Sequence, residues 1–213
     1  MAKTKLKKFA AYESFPNTYD ARNLLKGKWR SEVFKNNNPL ILELACGRGE
    51  YALGLSEIYP DKNFVGVDVK AARMWEGAKK AIELERNNVA FIRIQIDFLT
   101  EYFEAGEVSE IWITFPDPMP QKPKTKQRLT SPPFLKRYLT VLEPGGTINL
   151  KTDSDLLYEY TLEQISEKGM NIIENNNDIY TSDEVSQTLV IKTYYEKMWL
   201  EKGLKIKYLK FAF

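Results

Sequence analysis

Short apolar runs alternate with amphipathic segments along most of the chain. Runs typical of buried strands, rich in Ile, Leu, Val and Phe, fall at 39–44, 64–68, 89–97, 109–115 and 147–151. The segments at about 49–59, 70–86, 131–142, 154–169 and 183–202 have the longer periodicity of helices. Strands that alternate with helices in this way predict an α/β domain built on a parallel, doubly wound sheet.

The two ends of the chain extend this pattern. A weaker strand is expected near 170–175. The alternating Ile206, Tyr208, Phe211 and Phe213 predict a last strand, antiparallel to the rest, which makes seven strands in all. Residues 1–35 are expected to form a basic N-terminal arm and a lead-in region, followed by a single domain at 36–213.

Composition narrows the cellular location. Hydrophobic residues make up 43% and charged residues 28% of the 213 residues, as in an ordinary folded protein. No run approaches the roughly 18 consecutive apolar residues of a membrane span, and the basic N-terminus is not followed by the apolar core of a signal peptide. The single cysteine, Cys46, cannot form an intrachain disulfide. We therefore expect a cytoplasmic protein that does not enter a membrane.

The absence of histidine limits the kinds of catalytic and metal site that the chain can form. A chain with no histidine cannot use Ser-His-Asp or Cys-His catalysis, and zinc or non-haem iron sites are disfavoured, so no metal is expected. Lysines are concentrated in the first eight residues, in 122–128 and in 192–210. Each run is compatible with a solvated surface, but three of them also favour a face that binds a polyanion.

Acidic residues follow most of the predicted strands. Parallel sheets of this class bind ligands beyond the carboxyl ends of their strands. Acids at these ends can bind a ligand, or they can simply cap the helices that follow, and both interpretations stay open for any one of them. The acids are Glu43, Asp68, Asp97, Asp117 and Asp153.

The turn after the first of the predicted strands favours a cationic ligand. Gly47 and Gly49 allow a close approach to the backbone. A carboxylate at Glu43, four residues before Gly47, would repel a pyrophosphate but suits a sulfonium and an ammonium. Asp68 is placed to accept hydrogen bonds from ribose hydroxyls, and Asp97 could accept one from an adenine amino group. This pattern predicts S-adenosylmethionine rather than a nicotinamide dinucleotide.

The segment Phe115-Pro116-Asp117-Pro118 is the clearest candidate for catalysis. A proline on each side of Asp117 stiffens the backbone directly after a buried strand. The segment is similar to the Asn/Asp-Pro-Pro-aromatic loop with which amino-methylating enzymes hold a planar nitrogen nucleophile. The alternative is a turn that only terminates the strand.

Taken together, these motifs resemble one family over about residues 35 to 213. Glu43-x-x-x-Gly47-x-Gly49, the Phe-Pro-Asp-Pro segment, a basic segment that ends at Arg128, Lys151-Thr152-Asp153 and a Thr-Tyr-Tyr-Glu segment are similar in order and spacing to the bacterial tRNA (guanine-N7)-methyltransferases. The resemblance implies a Rossmann-like class I methyltransferase fold and methyl transfer from S-adenosylmethionine to N7 of a guanine in tRNA. That guanine would lie in the variable loop, and the product would be 7-methylguanosine.

The same resemblance implies roles for single residues. Asp117 would be catalytic, and the cofactor would contact Glu43, Gly47, Gly49, Asp68, Asp97 and Asp117. The guanosine would contact Asp153, Thr193, Tyr194, Tyr195 and Glu196, and the tRNA would contact Lys124, Lys126 and Arg128. The substrate lysine of the family aligns with Gln121, so Lys122, one residue later, is expected to take over its role.

The predicted reaction is compatible with a chain that lacks histidine. Guanine N7 carries an in-plane lone pair and needs no general base before it attacks a methyl group. Two alternatives are also compatible with the sequence: a methyltransferase of the same fold that acts on a small molecule or a protein, and a catalytically silent RNA-binding relative.

Overall fold

A computed structural model describes residues 2–181 and 185–213. Within these ranges one sheet has the order β1-β4-β3-β2-β5-β6-β8-β7. All neighbours are parallel except β8, which is antiparallel to both β6 and β7. The strands are β1 Thr18–Asp20, β2 Leu40–Leu44, β3 Asn63–Asp68, β4 Val89–Arg93, β5 Val108–Thr114, β6 Leu142–Thr152, β7 Asn171–Asn176 and β8 Lys207–Ala212.

The predicted fold class and the antiparallel last strand are confirmed. The strand count differs, because the described part of the chain has eight strands rather than seven. The added strand is β1, which lies at the sheet edge and pairs with residues 91–93 of β4. Three residues within the expected lead-in region are too few to show the alternation that marks a strand.

Helices cover both faces of the sheet. Side chains alternate along each strand, so Leu42 packs into the apolar layer on one face while Ile41 packs into the layer on the other. The helices are α1 Ala2–Ser14, α2 Glu50–Ile58, α3 Ala71–Glu83, α4 Leu99–Tyr102, α5 Pro132–Val141, α6 Asp155–Glu167 and α7 Tyr194–Glu201. Among the described residues, no helix is long and apolar enough to cross a membrane.

The predicted N-terminal arm is a helix that packs against the domain. Helix α1 lies along α3, and Lys8 Nζ is 2.8 Å from Glu76 Oε1. Tyr12 is buried, and its hydroxyl donates to the carbonyl oxygens of Tyr19 and Phe91. The lysines suggested a solvated arm, but Tyr12 anchors this segment to the edge of the sheet.

Strand β6 begins at Leu142 rather than at the predicted 147, and two predicted boundaries nearer the site residues are also wrong. Strand β4 ends at Arg93 because its neighbours β1 and β3 end opposite it, at Asp20 and Asp68. Asp97 therefore lies beyond the strand, on a 3₁₀ turn at Ile96–Phe98. The helix expected at 183–202 is limited to α7, because Thr193 caps its first turn by accepting a hydrogen bond from Glu196 N. Residues 182–184 lie outside the described residues.

The strand order creates the position for a site. β2 lies between β3 and β5, and the chain runs from β2 to β3 and β4 on one side before it returns as β5 on the other. The loops that follow β2 and β5 therefore diverge, which opens a crevice at the carboxyl ends of these strands.

Candidate cofactor and substrate site

A cleft of about 520 Å³ opens at the carboxyl ends of β3 and β4. It brings together two of the predicted cofactor acids, Asp68 and Asp97, and the beginning of the turn after β2. Lys126, predicted as an RNA contact, lies at the same cleft. The lining residues are Ala45, Asp68, Val69, Ile94, Gln95, Ile96, Asp97, Lys126, Gln127, Leu129 and Phe134.

Glycine is favoured for different physical reasons at the two positions in the turn after β2. Both have positive φ, +57° at Gly47 and +68° at Gly49. A Cβ at Gly47 would have no atom within 4 Å, so the backbone there faces open space that a ligand can occupy. A Cβ at Gly49 would lie 2.3 Å from Cε1 of the Phe91 ring, so this glycine is required by packing. Only Gly47 is open to a ligand.

Asp68 ties the turn to the beginning of α3. Its Oδ2 accepts a hydrogen bond of 2.9 Å from Gly47 N, and its Oδ1 accepts one of 2.9 Å from Lys70 N. A carboxylate can accept about four hydrogen bonds, so capacity remains toward the cleft that Asp68 lines. The side chain is thus held in place and is still able to bind hydroxyl groups.

Glu43 lies beneath the turn and is not among the residues that line the cleft. It is buried, and its carboxylate accepts hydrogen bonds from Ala52 N at 2.8 Å and from Thr114 Oγ1 at 3.3 Å. Burial away from water raises the pKa of this carboxyl to about 8. Glu43 therefore joins β2, the first turn of α2 and the end of β5.

The loop with the catalytic candidate follows β5. Asp117 is exposed, and its Oδ1 accepts a hydrogen bond of 3.0 Å from Met119 N. Phe115 and Met119, which flank it, have left-handed backbone conformations with φ of +50° and +44°. Phe115 N donates to Lys151 O at 2.8 Å, so the loop begins against the end of β6.

The basic segment divides into exposed and buried cations. Lys122 and Lys124 are exposed on a 3₁₀ helix at Lys122–Gln127, as is Gln121 just before it. Arg128 is different, since only 7% of it is exposed and its guanidinium donates to backbone carbonyls. The expectation that Arg128 lies on an RNA-binding surface does not agree with this burial.

Four of the predicted guanosine contacts are consecutive residues at the beginning of α7. Tyr194 N donates to Glu50 Oε2 at 2.9 Å, and the Arg48 guanidinium lies 4.4 Å from the centre of the Tyr194 ring. Tyr194 is exposed and Tyr195 is half-buried. The beginning of α7 thus packs against the turn that follows β2.

Glu196 and Thr193 are buried and bonded within the protein. Lys151 Nζ lies 2.8 Å from Glu196 Oε1 in a pair whose side chains are 0% exposed, and Tyr180 Oη donates to the same oxygen at 2.6 Å. Asp153 is half-buried, which raises the pKa of its carboxyl, and its carbonyl oxygen accepts a hydrogen bond from Lys207. Of these contacts, Asp153 and the two tyrosines are the more accessible.

Comparison with known proteins decides the family. A family model described as a putative methyltransferase matches residues 37–209. The tRNA (guanine-N(7)-)-methyltransferase of Bacteroides fragilis is 48% identical over an alignment that covers 99% of this chain and 86% of that protein. The chain belongs to the tRNA (guanine-N7)-methyltransferase family. The Listeria innocua protein of the same name is 36% identical and is matched over 95% of its length.

Solved structures confirm the fold expected for a tRNA (guanine-N7)-methyltransferase. The 16S rRNA methyltransferase KamB superposes with a TM-score of 0.64 at 14% identity, over 86% of this chain and 91% of that chain. Geranyl diphosphate methyltransferase in complex with GPP and sinefungin gives 0.53 at 16% identity, over 82% and 70%. At such low identities the likeness extends to the Rossmann-like methyltransferase fold alone.

Two further residues of this tRNA (guanine-N7)-methyltransferase, Lys151 and Tyr180, have a place in the site that the sequence did not predict. Both contact the carboxylate of Glu196. Lys151 stood within a recognised motif, but a lysine in a strand gives no sign of its partner when that partner is 45 residues away in the chain. Tyr180 lies in an irregular segment without periodicity, so nothing in the pattern marked it.

Proposed function

We propose that this protein transfers the methyl group of S-adenosylmethionine to N7 of a guanine in the variable loop of tRNA, forming 7-methylguanosine. The observation that carries the proposal is the convergence of three segments. The beginning of α2, directly after the turn that follows β2, and the end of β6 are both bonded to the beginning of α7, through Glu50 to Tyr194 N and through Lys151 to Glu196. The Asp117 loop begins against Lys151 O.

The residues around the cleft fit S-adenosylmethionine. The open space beside Gly47 leaves room next to the backbone, and Asp68 and Asp97 line the same cleft. Asp68 would accept hydrogen bonds from the ribose hydroxyls, and Asp97 from the adenine amino group. Glu43 would hold the turn in place from beneath, through its hydrogen bonds with Ala52 N and Thr114 Oγ1. When bound, the cofactor supplies a methyl group activated by the adjacent sulfonium charge.

The chain's own residues act by position and charge. N7 of guanine needs no proton removed, so no group has to act as a base. Asp117 and Asp153 accept hydrogen bonds from guanine N1–H and its exocyclic amine, which distinguishes guanine from adenine. The same carboxylates stabilise the positive charge that develops on the base during transfer. Gly49, Thr193 and Glu196 contribute by holding the turn and α7 in place.

The tRNA is held by exposed cations. Lys122, Lys124 and Lys126 lie on one 3₁₀ helix, on which Lys126 lines the cleft, and their charges can neutralise phosphates. The same chemistry explains why a charged segment lies beside the cofactor cleft instead of on a remote surface. A cytoplasmic location follows from a tRNA substrate and is compatible with the single, unpaired Cys46.

Nucleoside analysis of tRNA incubated with the protein and S-adenosylmethionine tests the proposal. We expect 7-methylguanosine to appear, and we expect Asp117→Asn to reduce its formation about 100-fold or more while cofactor and tRNA still bind. No 7-methylguanosine from wild-type protein would overturn the function. Methylation of a small molecule or protein instead of tRNA would favour one alternative, and failure to bind S-adenosylmethionine in calorimetry would favour a silent RNA-binding relative.

A further inference from the structure

Arg128 is fixed against the loop that carries Asp117. Its Nε donates to Pro118 O at 3.1 Å and to Met119 O at 3.3 Å, and its Nη2 donates to Met119 O at 3.1 Å. Only 7% of the residue is exposed. A guanidinium presents its donors in a rigid planar fork, so it can hold two successive carbonyl groups in a way that a single ammonium cannot.

The loop held in this way is conformationally costly. Phe115 and Met119 both have positive φ without being glycine, a backbone conformation that is unfavourable for any residue with a Cβ atom. Prolines at 116, 118 and 120 have no N–H with which to hold the loop. Strained backbone of this kind persists only where surrounding contacts determine it. The contacts of Arg128 are placed to do so.

Met119 connects Arg128 to Asp117. The carbonyl of Met119 accepts hydrogen bonds from Arg128, while its N–H donates to Asp117 Oδ1 at 3.0 Å. Met119 is thus hydrogen-bonded through its carbonyl to the guanidinium of Arg128 and through its N–H to the carboxylate of Asp117. A shift of the Met119 carbonyl would therefore reorient the Asp117 side chain.

The guanidinium is also held from its other side. Its carbon lies 4.4 Å from the centre of the Tyr160 ring on α6, within the range of a cation–π contact. Next to it in the chain, Thr161 Oγ1 and Thr130 Oγ1 are joined by a hydrogen bond of 2.8 Å. Helix α6 therefore fixes the end of the basic segment from which Arg128 extends.

We propose that Arg128 is a positioning residue that orients the Asp117 carboxylate through Met119, and that it does not bind a tRNA phosphate. The inference rests on the proposed function, because it gives Asp117 its role in methyl transfer. Since Arg128 ends the same segment that carries Lys124 and Lys126, it also links the tRNA-binding cations to the catalytic loop.

Steady-state kinetics of Arg128→Lys, with tRNA as the varied substrate, test the inference. The variant keeps the positive charge but loses the planar set of guanidinium donors. We therefore expect kcat to fall at least tenfold, while KM for tRNA and the salt dependence of tRNA binding stay within twofold of wild type. Lys124→Ala, in the same segment but exposed, should do the reverse: raise KM and lower the slope of log K against log salt by about one. Lys136→Ala, exposed on α5, is the matched surface control.

A kcat of Arg128→Lys within twofold of wild type, or a loss confined to KM and the salt slope, would overturn the inference. Tyr160→Leu and Tyr160→Phe provide a second pair that keeps Arg128 itself. Leu removes the ring face and should lower kcat, whereas Phe keeps the face and should restore kcat to near wild type. Equal kcat for both would also contradict the proposal. Wild-type protein that forms no 7-methylguanosine would instead defeat the proposed function, so the two failures are distinguishable.

Discussion

Lys151 and Glu196 form an ion pair that is fully buried, with Nζ 2.8 Å from Oε1 and neither side chain exposed. Lys151 Nζ also donates to the carbonyl oxygens of Leu189 and Ile191, at 2.6 and 3.1 Å. An ammonium has three protons, and these partners use all of them. The pair therefore fastens residues 189–196 to the end of β6, beside the proposed substrate site.

Lys151→Met should destabilise the protein by about 3–5 kcal/mol, because the carboxylate of Glu196 would remain buried without its cation. Urea unfolding measures the change. Lys197→Met, at an exposed position of α7, is the control and should stay within about 0.5 kcal/mol of wild type. Adding Glu196→Leu should recover part of the lost stability. A single variant as stable as wild type would show that the pair contributes nothing.

Alanine at the two glycines of the cofactor turn should give different results. The added side chain of Gly47→Ala meets only open space, so we expect the free energy of unfolding to fall by about 1–2 kcal/mol because of the positive φ. We also expect the affinity for S-adenosylmethionine to fall at least tenfold, because the alanine methyl group would occupy space that the ligand needs. The added methyl group of Gly49→Ala would clash with the Phe91 ring, so we expect the free energy of unfolding to fall by about 2–4 kcal/mol. Thermal unfolding and calorimetric titration separate the two effects. Unchanged affinity in Gly47→Ala would remove this turn from the cofactor site.

Glu43 should make stability depend on pH. Because burial raises the pKa of its carboxyl from 4.5 to about 8, the folded state holds a proton between these values that the unfolded state releases. The contribution of this group is fully present below pH 4.5 and is lost as pH rises through 8, by at most about 1.4 kcal/mol per pH unit. Glu43→Gln should abolish that slope in urea unfolding measured from pH 5 to 9. Glu57→Gln, exposed on the same side of the sheet in α2, should keep it. Parallel pH curves for wild type and Glu43→Gln would contradict the assignment.

Lys122 should carry the role that the family gives to a lysine at position 121. Both Gln121 and Lys122 are exposed at the beginning of the 3₁₀ helix, but only Lys122 is charged. Lys122→Ala should raise KM for tRNA about fivefold and lower the salt slope of binding by about one. Gln121→Ala should change KM less than twofold. A larger loss of tRNA binding for Gln121→Ala than for Lys122→Ala in filter binding would mean that Gln121 makes the contact by hydrogen bonding.

Much of the sheet could be predicted from the chain alone, because each central strand is a short apolar run bounded by turn residues. The edge strand β1 could not, since Thr18–Asp20 has too few residues to show a period. The packing of α1 was also missed, because its lysines are visible in the sequence while the burial of Tyr12 depends on the edge of the finished sheet. In the candidate site, Asp68 and Asp97 come together at one cleft as expected, since parallel strands end at the same edge.

The sequence by itself determined the alternation of strands and helices, the cofactor turn with its glycines, the proline-flanked Asp117 and the family. These are local properties, set by side-chain period and by the backbone limits of glycine and proline. Only the tertiary structure decided which charged residues are free to meet a ligand. Arg128 and Lys124 are both cations of one basic segment, yet one is buried against backbone carbonyls and the other is exposed. Burial of a charge depends on partners that are distant in the chain, so it cannot be predicted from a local sequence pattern.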